Sequence, residues 1–230
     1  MLEKLRNLPD EDLHVVLVLV LTLGTGAVDA VSYFSLDHVF TANMSGNMAL
    51  LGIGIANGLG TVTGNIYAFG GFVVGSILVG RFMHDHKGPF LRVALEALVA
   101  QLAIFVALTV VLGIVDVADH SGWRYGVCFV LAAAMGIQTG VARHMSVKDV
   151  NTTVATMTLH DLAAASKLAG GDSVRWKRRA GVVVALLGGA AIGIALDNTV
   201  SWGGLAFTCL TTVGVVAAVI AVQRREPTVD

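Results

Sequence analysis

Asp37-His38-Val39-Phe40-Thr41-Ala42-Asn43 leads into Met44-Ser45-Gly46-Asn47 and an apolar run that ends at Asn57. A helix needs about 20 mostly apolar residues to cross the hydrocarbon core, so the run over about 43–57 is too short to span. Its lead resists helix: β-branched side chains lose rotamer freedom there, and Asn and Asp bond to nearby backbone instead. The spacing predicts a half-length helix entered by an extended segment. The same pattern returns in Asp149-Val150-Asn151-Thr152-Thr153, followed by a short apolar run over about 156–169.

Around these two short runs lie six longer ones, roughly 14–34, 64–83, 92–115, 123–142, 180–197 and 203–222, each long enough to span. The chain has 230 residues, 55% hydrophobic and 13% charged, with a mean hydropathy of +0.77. A soluble domain carries about 25% charged residues to cover its surface. The composition excludes a soluble enzyme, a disordered chain and a nucleic-acid binder, the last because a net charge of −1 offers no basic face. The fold class is therefore an all-α polytopic membrane protein: six transmembrane helices, two re-entrant or broken half-helices, one domain over 1–230. Asp10, Glu11 and Asp12 stand where a signal peptide needs positive charge, so the first apolar segment reads as retained. Cys128 and Cys209 sit in apolar runs and read as small buried hydrophobes.

Basic residues accumulate on the cytoplasmic side. If neither half-helix crosses and the N-terminus is inside, 14 of the 15 Lys and Arg residues face the cytoplasm, leaving only Arg124 outside. If both cross, the division falls to 10 against 5. Six crossings with both termini cytoplasmic is the expected topology. Trp123, Trp176 and Trp202 fall at span ends and read as interface anchors.

The halves resemble one another. Gly70-Gly71-x-x-x-Gly75 recurs 118 residues later as Gly188-Gly189-x-x-x-Gly193, and Thr41-Ala42-Asn43-Met44-Ser45 answers to Val154-Ala155-Thr156-Met157-Thr158 at an offset of 113. Gly26-x-x-Asp29 corresponds loosely to Met135-x-x-Gln138 at 109. Repeat one covers about 14–115 and repeat two about 123–222. Three crossings per repeat make the copies inverted, so the half-helices would enter from opposite faces with their N-termini near the midplane. Non-helical backbone at that depth needs protein or a water-filled cavity to satisfy it, which predicts a polar centre of the kind transporters use.

Gly26-Ala27-Val28-Asp29-Ala30-Val31-Ser32-Tyr33 followed by Val39-Phe40-Thr41-Ala42-Asn43-Met44-Ser45-Gly46-Asn47 resembles the YoaK family of bacterial membrane proteins. The family's pattern is an Asp-Ala-x-x-Tyr helix followed by Phe-x-Ala-Asn-x-Thr-Gly-Asn, with Ser45 here keeping the hydroxyl. Met135-Gly136-Ile137-Gln138 is similar to its second-half signature, whereas Thr158-Leu159-His160 departs from a Thr-Gly-Asn pattern. The resemblance implies an inner-membrane protein of about six spans and no firmly assigned activity.

A carboxylate inside a spanning helix costs about 2.5–3.5 kcal/mol on insertion scales, so Asp29 should face protein or water. Desolvation favours its neutral form, which makes it a candidate proton carrier as well as a candidate structural cap. Asn43, Ser45 and Asn47 straddle the start of the first half-helix, where free N–H groups and the helix dipole suit an anionic or hydrogen-bonding group. Thr156, Thr158 and His160 are the counterparts in the second, where snorkelling or pairing of His160 and Asp161 is the alternative reading. Gln138 and Tyr33 could complete a polar lining, while Glu96 reads as an i, i+4 partner of Arg92. The expected substrate-binding set is thus Asp29, Tyr33, Asn43, Ser45, Asn47, Gln138, Thr156 and Thr158, with no catalytic residue, metal or cofactor, since neither a zinc-ligand spacing nor a nucleophile elbow is present. The leading functional expectation is a secondary transporter of a small polar or anionic solute, proton-coupled through Asp29. A channel for a small solute and a non-transporting structural or partner-binding membrane protein are the alternatives. Expected partners are the solute and membrane lipids, without nucleic acid; oligomeric state is open, a homodimer being compatible.

Overall fold

The computed structural model of the chain describes residues 10–36, 38–58, 62–86, 89–114, 121–145, 155–173 and 175–223. They form α1 (Asp10–Ser35), α2 (Met44–Asn57), α3 (Val62–Asp85), α4 (Phe90–Ile114), α5 (Ser121–His144), α6 (Ala155–Ala164), a 3-10 turn (Lys167–Ala169), α7 (Trp176–Asp197) and α8 (Gly203–Gln223). Six of these (α1, α3, α4, α5, α7 and α8) are long and apolar enough to cross a membrane, and α2 and α6 are not. The expected set of six long and two short helices is what the described residues form. The lead at 149–153 lies outside the described residues, as do Asp37, Lys4, Arg6, Lys87, Lys148, Arg224 and Arg225.

Both short helices stop for visible reasons. Gly58 ends α2 in the left-handed region at φ 64°, with its N–H on the carbonyl of Gly54, a termination that a side chain would strain. The second is shorter than its apolar run over 156–169 predicts. After Ala164 the carbonyl of Ala165 accepts from the N–H of Ser173 at 2.9 Å, and that of Ser166 accepts from Ala169 and Gly171 at 3.0 Å each. Those carbonyls are drawn into a turn rather than into a continuing helical ladder.

Two apolar layers fix the direction of each long helix. One joins Leu17 and Leu21 of the first half of α1 to Val79 near the end of α3, Leu98 in the first half of α4, Val141 near the end of α5, Val182 near the start of α7 and Val219 near the end of α8. The other joins Val28 and Leu36, at and just beyond the last turns of α1, to Ala68 of early α3, Phe105 of late α4, Leu131 of α5 and Leu205 of early α8. α1 and α3 are therefore antiparallel although α2 stands between them, so α2 returns the chain to the layer it left. α5 and α7 are antiparallel across α6 in the same way. Neither short helix passes from one layer to the other, and the two belong to opposite ends of the bundle. Val39 and Ala42, ahead of α2, belong to the second layer. At the other end, Arg179 of early α7 donates to the carbonyl of Asp161 in α6 at 3.2 Å.

The most extensive packing pairs α3 with α5 and α1 with α7, and the glycine motifs explain why. A Cβ at Gly71 or Gly75 would overlap the carbonyl oxygens of Phe129 and Ala133 on α5; one at Gly189 or Gly193 would overlap Leu23 and Ala27 on α1. Hydrogen at these positions lets the backbones touch, and dispersion over the matched surfaces then holds the pair where lipid offers no hydrophobic drive. Trp123, Trp176 and Trp202 lie exposed at or beside helix starts, as interface anchors would.

Candidate functional site

Asp29 lies nearly two turns before the end of α1. Its Oδ1 accepts the backbone N–H of Thr41 at 3.0 Å and that of Ala42 at 2.8 Å, and the N–H of Asn43 is also directed at the carboxylate. The lead from Val39 to Asn43 belongs to no helix or strand, so its N–H groups need another acceptor at this depth. Asp29 supplies one. Hydrogen bonds to an ionised acceptor are worth about 1.5–3 kcal/mol each, comparable to the insertion cost of the carboxylate itself. Ser32, one turn on, accepts the hydroxyl of Thr41 at 3.5 Å.

The start of α2 is then closed by its own side chains. Asn43 Oδ1 accepts from the N–H of Gly46 at 3.2 Å and the hydroxyl of Ser45 at 2.9 Å, an N-cap that satisfies one orphan helix donor. Asn47 is buried, with its amide turned back on the lead: Oδ1 accepts the N–H of Phe40 at 2.9 Å and Nδ2 donates to the Phe40 carbonyl. Phe40 in turn stacks on Tyr33, ring centroids 5.0 Å apart and planes 24° from parallel.

Beside this arrangement is a cavity of about 120 Å³ lined by Thr25 and Asp29 of α1, Ala42, Asn43 and Ser45 at the start of α2, Ala155 and Thr156 at the start of α6, and Leu186 at the middle of α7. The two short helices, from opposite ends of the bundle, begin on either side of one polar space. No Lys, Arg or His is part of its lining. A single water needs about 10–15 Å³ on this measure and drug-sized pockets run to about 300–1,000 Å³, so the space suits a solute of a few heavy atoms.

Residues 17–222 match the family described as "Protein of unknown function (DUF1275)". The chain belongs to this family. It is also 33% identical over 153 residues to the UPF0700 transmembrane protein YoaK of Bacillus subtilis (strain 168), an alignment covering 64% of each chain. The DUF1275 chain thus covers less than two thirds of that relative's length. No solved structure matches. Family membership bears out the resemblance carried by Gly26–Tyr33 and Val39–Asn47, and the transmembrane relative with the six apolar helices makes this a multi-pass membrane protein.

Of the residues expected at a site, this DUF1275 chain brings Asp29, Asn43, Ser45 and Thr156 around one cavity. Tyr33, Asn47, Gln138 and Thr158 do not line it. Asn47 and Tyr33 instead hold Phe40, so they shape the lead rather than the space. Thr158 is buried on α6, beyond the lining at the helix start. Gln138 reaches α1 one turn too early to oppose Asp29: its Nε2 donates to Thr25 Oγ1 at 2.8 Å and to the Leu21 carbonyl at 3.3 Å, while its Oε1 accepts from Gln101 Nε2 at 2.6 Å. Thr25 was the residue the sequence reading missed. It lies one turn before Asp29 on the same face of α1, a spacing of four that helical periodicity makes legible. Glu96 pairs with Arg92 at 3.5 Å, as the i, i+4 spacing implied.

Proposed function

We propose that this DUF1275 protein is a secondary transporter of a small polar or anionic solute, proton-coupled through Asp29. The observation that carries the reading is the mid-depth cavity where the starts of α2 and α6 converge beside an intramembrane carboxylate. Transporters commonly bind solute where broken helices present their amide ends at the interface between inverted repeats. An inverted repeat accounts for several features at once. The glycine motifs stand 118 residues apart, and α3 packs on α5 as α7 packs on α1. The short helices α2 and α6 also belong to opposite ends of the bundle. With the basic residues distributed as the sequence has them, the proposed setting is the bacterial inner membrane with both termini cytoplasmic.

Purified protein reconstituted in liposomes tests the reading directly. A carrier gives saturable uptake of one class of small polar solutes, counterflow exchange with unlabelled solute, and uptake driven by an inward proton gradient. Failure of every solute in a broad panel to move, or to raise the protein's melting temperature, overturns it. Flux that is ohmic and never saturates assigns the channel instead.

A further inference from the structure

We infer that Asp29 is a tethered competitor for the solute: a small carboxylate, or a planar monoanion of similar shape, takes the amides of Thr41 and Ala42 from Asp29, which leaves them protonated. This deepens the transport reading of the same cavity and rests on it.

The amides already hold a carboxyl oxygen. Asp29 Oδ1 sits 3.0 and 2.8 Å from the Thr41 and Ala42 nitrogens, so the pair is built to the dimensions of a carboxylate oxygen. Next to that bonded carboxylate lies the cavity of about 120 Å³, whose other polar groups are the side chains of Thr25, Asn43, Ser45 and Thr156. A ligand entering it meets Asp29 and Ala42, which line it, with the buried Thr41 next to Ala42 in the lead.

Charge decides what can share the space. The N-terminal ends of α2 and α6 each contribute about half a positive charge, and the ionised Asp29 contributes one negative charge, so the occupied arrangement is close to balanced. A cation would be set against two positive helix ends. An anion beside an ionised Asp29 would place two like charges in contact away from water, where screening is weak. An anion beside a protonated Asp29 restores the balance.

No neighbouring group can take the proton instead. None of the ion pairs among the described residues involves Asp29. α2 presents Asn43 and Ser45 to the cavity, α6 presents Thr156 and α7 presents Leu186. α5 brings Gln138 to α1, and α8 brings Thr208. The other titratable groups of these elements, among them Tyr33 on α1, Tyr125 and His144 on α5, His160 and Asp161 on α6 and Asp197 on α7, do not line the cavity. The step balances simply. The Asp29 carboxylate gains one proton from the aqueous phase, the hydrogen bonds donated by the two amides pass from Oδ1 to an oxygen of the solute anion, and release reverses both changes.

The test is isothermal titration calorimetry on the full chain in nanodiscs, with formate, acetate, lactate, pyruvate and nitrate as probes at constant ionic strength. Each is run in two buffers of different ionisation enthalpy, so that proton uptake is counted. Wild type is expected to take up about one proton per anion bound, its affinity falling tenfold per pH unit once Asp29 is ionised in the free protein. Asp29→Asn keeps an acceptor for the lead and is expected to bind the same anion with no proton uptake and no pH slope; Asp29→Ala, if it folds, does the same. Binding of an anion by wild type without proton uptake, or an unchanged slope in Asp29→Asn, overturns the inference and leaves the transport reading standing. So does a protein that binds or moves neutral polar solutes and none of these anions. A protein that binds and moves nothing overturns both.

Discussion

The hydroxyl of Ser35 donates to Oδ2 of Asp197 at 2.9 Å, joining the last residue of α1 to the last residue of α7. At the opposite end Arg178 meets Asp12 at 2.9 Å. Two parallel helices are thus fastened at both tips, with the glycine contact between. Both fastenings are solvent-facing, so each is worth little: about 0.5–1.5 kcal/mol for the hydrogen bond and about 0–1 kcal/mol for the ion pair. Ser35→Ala and Asp12→Ala should each lower the denaturation midpoint in micelles slightly, and together additively. A strongly cooperative loss would mean that the tips, rather than the glycine seam, hold the pair.

The seam itself is expected to be intolerant. Gly75→Leu and Gly193→Leu place a side chain where the backbone of Ala133 or Ala27 already stands, and overpacking of this kind costs about 1–3 kcal/mol or more. Size-exclusion profiles should turn polydisperse for these variants. Gly52→Ala and Gly126→Ala, where a Cβ meets open space, should remain monodisperse. Equal tolerance at all four positions would contradict the close approach.

Removing the Asp29 acceptor should loosen the lead before it unfolds the bundle. Two charge-assisted bonds are at stake, so Asp29→Ala should cost about 3–6 kcal/mol locally, and Asp29→Asn clearly less because its amide oxygen still accepts. Hydrogen exchange at the Thr41 and Ala42 amides reads this without reference to any solute. Protection in Asp29→Ala equal to wild type would show that something else holds the lead.

Gln138 makes every one of its polar contacts across helices. Its orientation is dictated by Thr25, whose hydroxyl donates to the Leu21 carbonyl at 2.9 Å and so can only accept from Gln138 Nε2. That leaves Gln138 Oε1 to accept from Gln101 Nε2, a polar link from α4 to α5 beside their apolar packing. Gln101 and Gln138 substituted singly by Leu should each cost about 1–2 kcal/mol, and the double variant less than their sum, since no buried partner is then stranded. Simple additivity in guanidinium- or SDS-induced unfolding would dissolve the pairing.

The direction of the helices is checked by cysteine labelling on a background lacking Cys128 and Cys209. Asp12→Cys and His86→Cys should react from one side of the membrane, His38→Cys and Asn198→Cys from the other. Labelling of His86→Cys from the side of His38→Cys would mean that α2 crosses after all.

Much of this was legible in the sequence, because burial in a membrane is written in length and charge. The six long runs, the two short ones and the glycine spacing all follow from constraints that act along the chain. The approach of Asn43, Ser45 and Thr156 to Asp29 was legible too, since orphan amides at depth must find acceptors. The roles of Asn47 and Gln138 were not. Each is a polar residue on an apolar helix, and only the packing of a neighbour determines whether its amide meets a cavity or a backbone. Asn47 finds Phe40 because the lead folds back across α2. Gln138 finds Thr25 because the approach of α5 to α1 places it a turn short of Asp29.

The cross-pairing of α1 with α7 and of α3 with α5 has a consequence for how the protein is made. α1 must wait for α7, beyond three intervening spans, before its glycine-receiving face is covered, and α3 must wait for α5. A ribosome that has released only the first three spans leaves both partnerless seams facing lipid. Two polypeptides divided between α4 and α5 should therefore be degraded when expressed singly and rescue one another when expressed together, each serving as the other's missing scaffold.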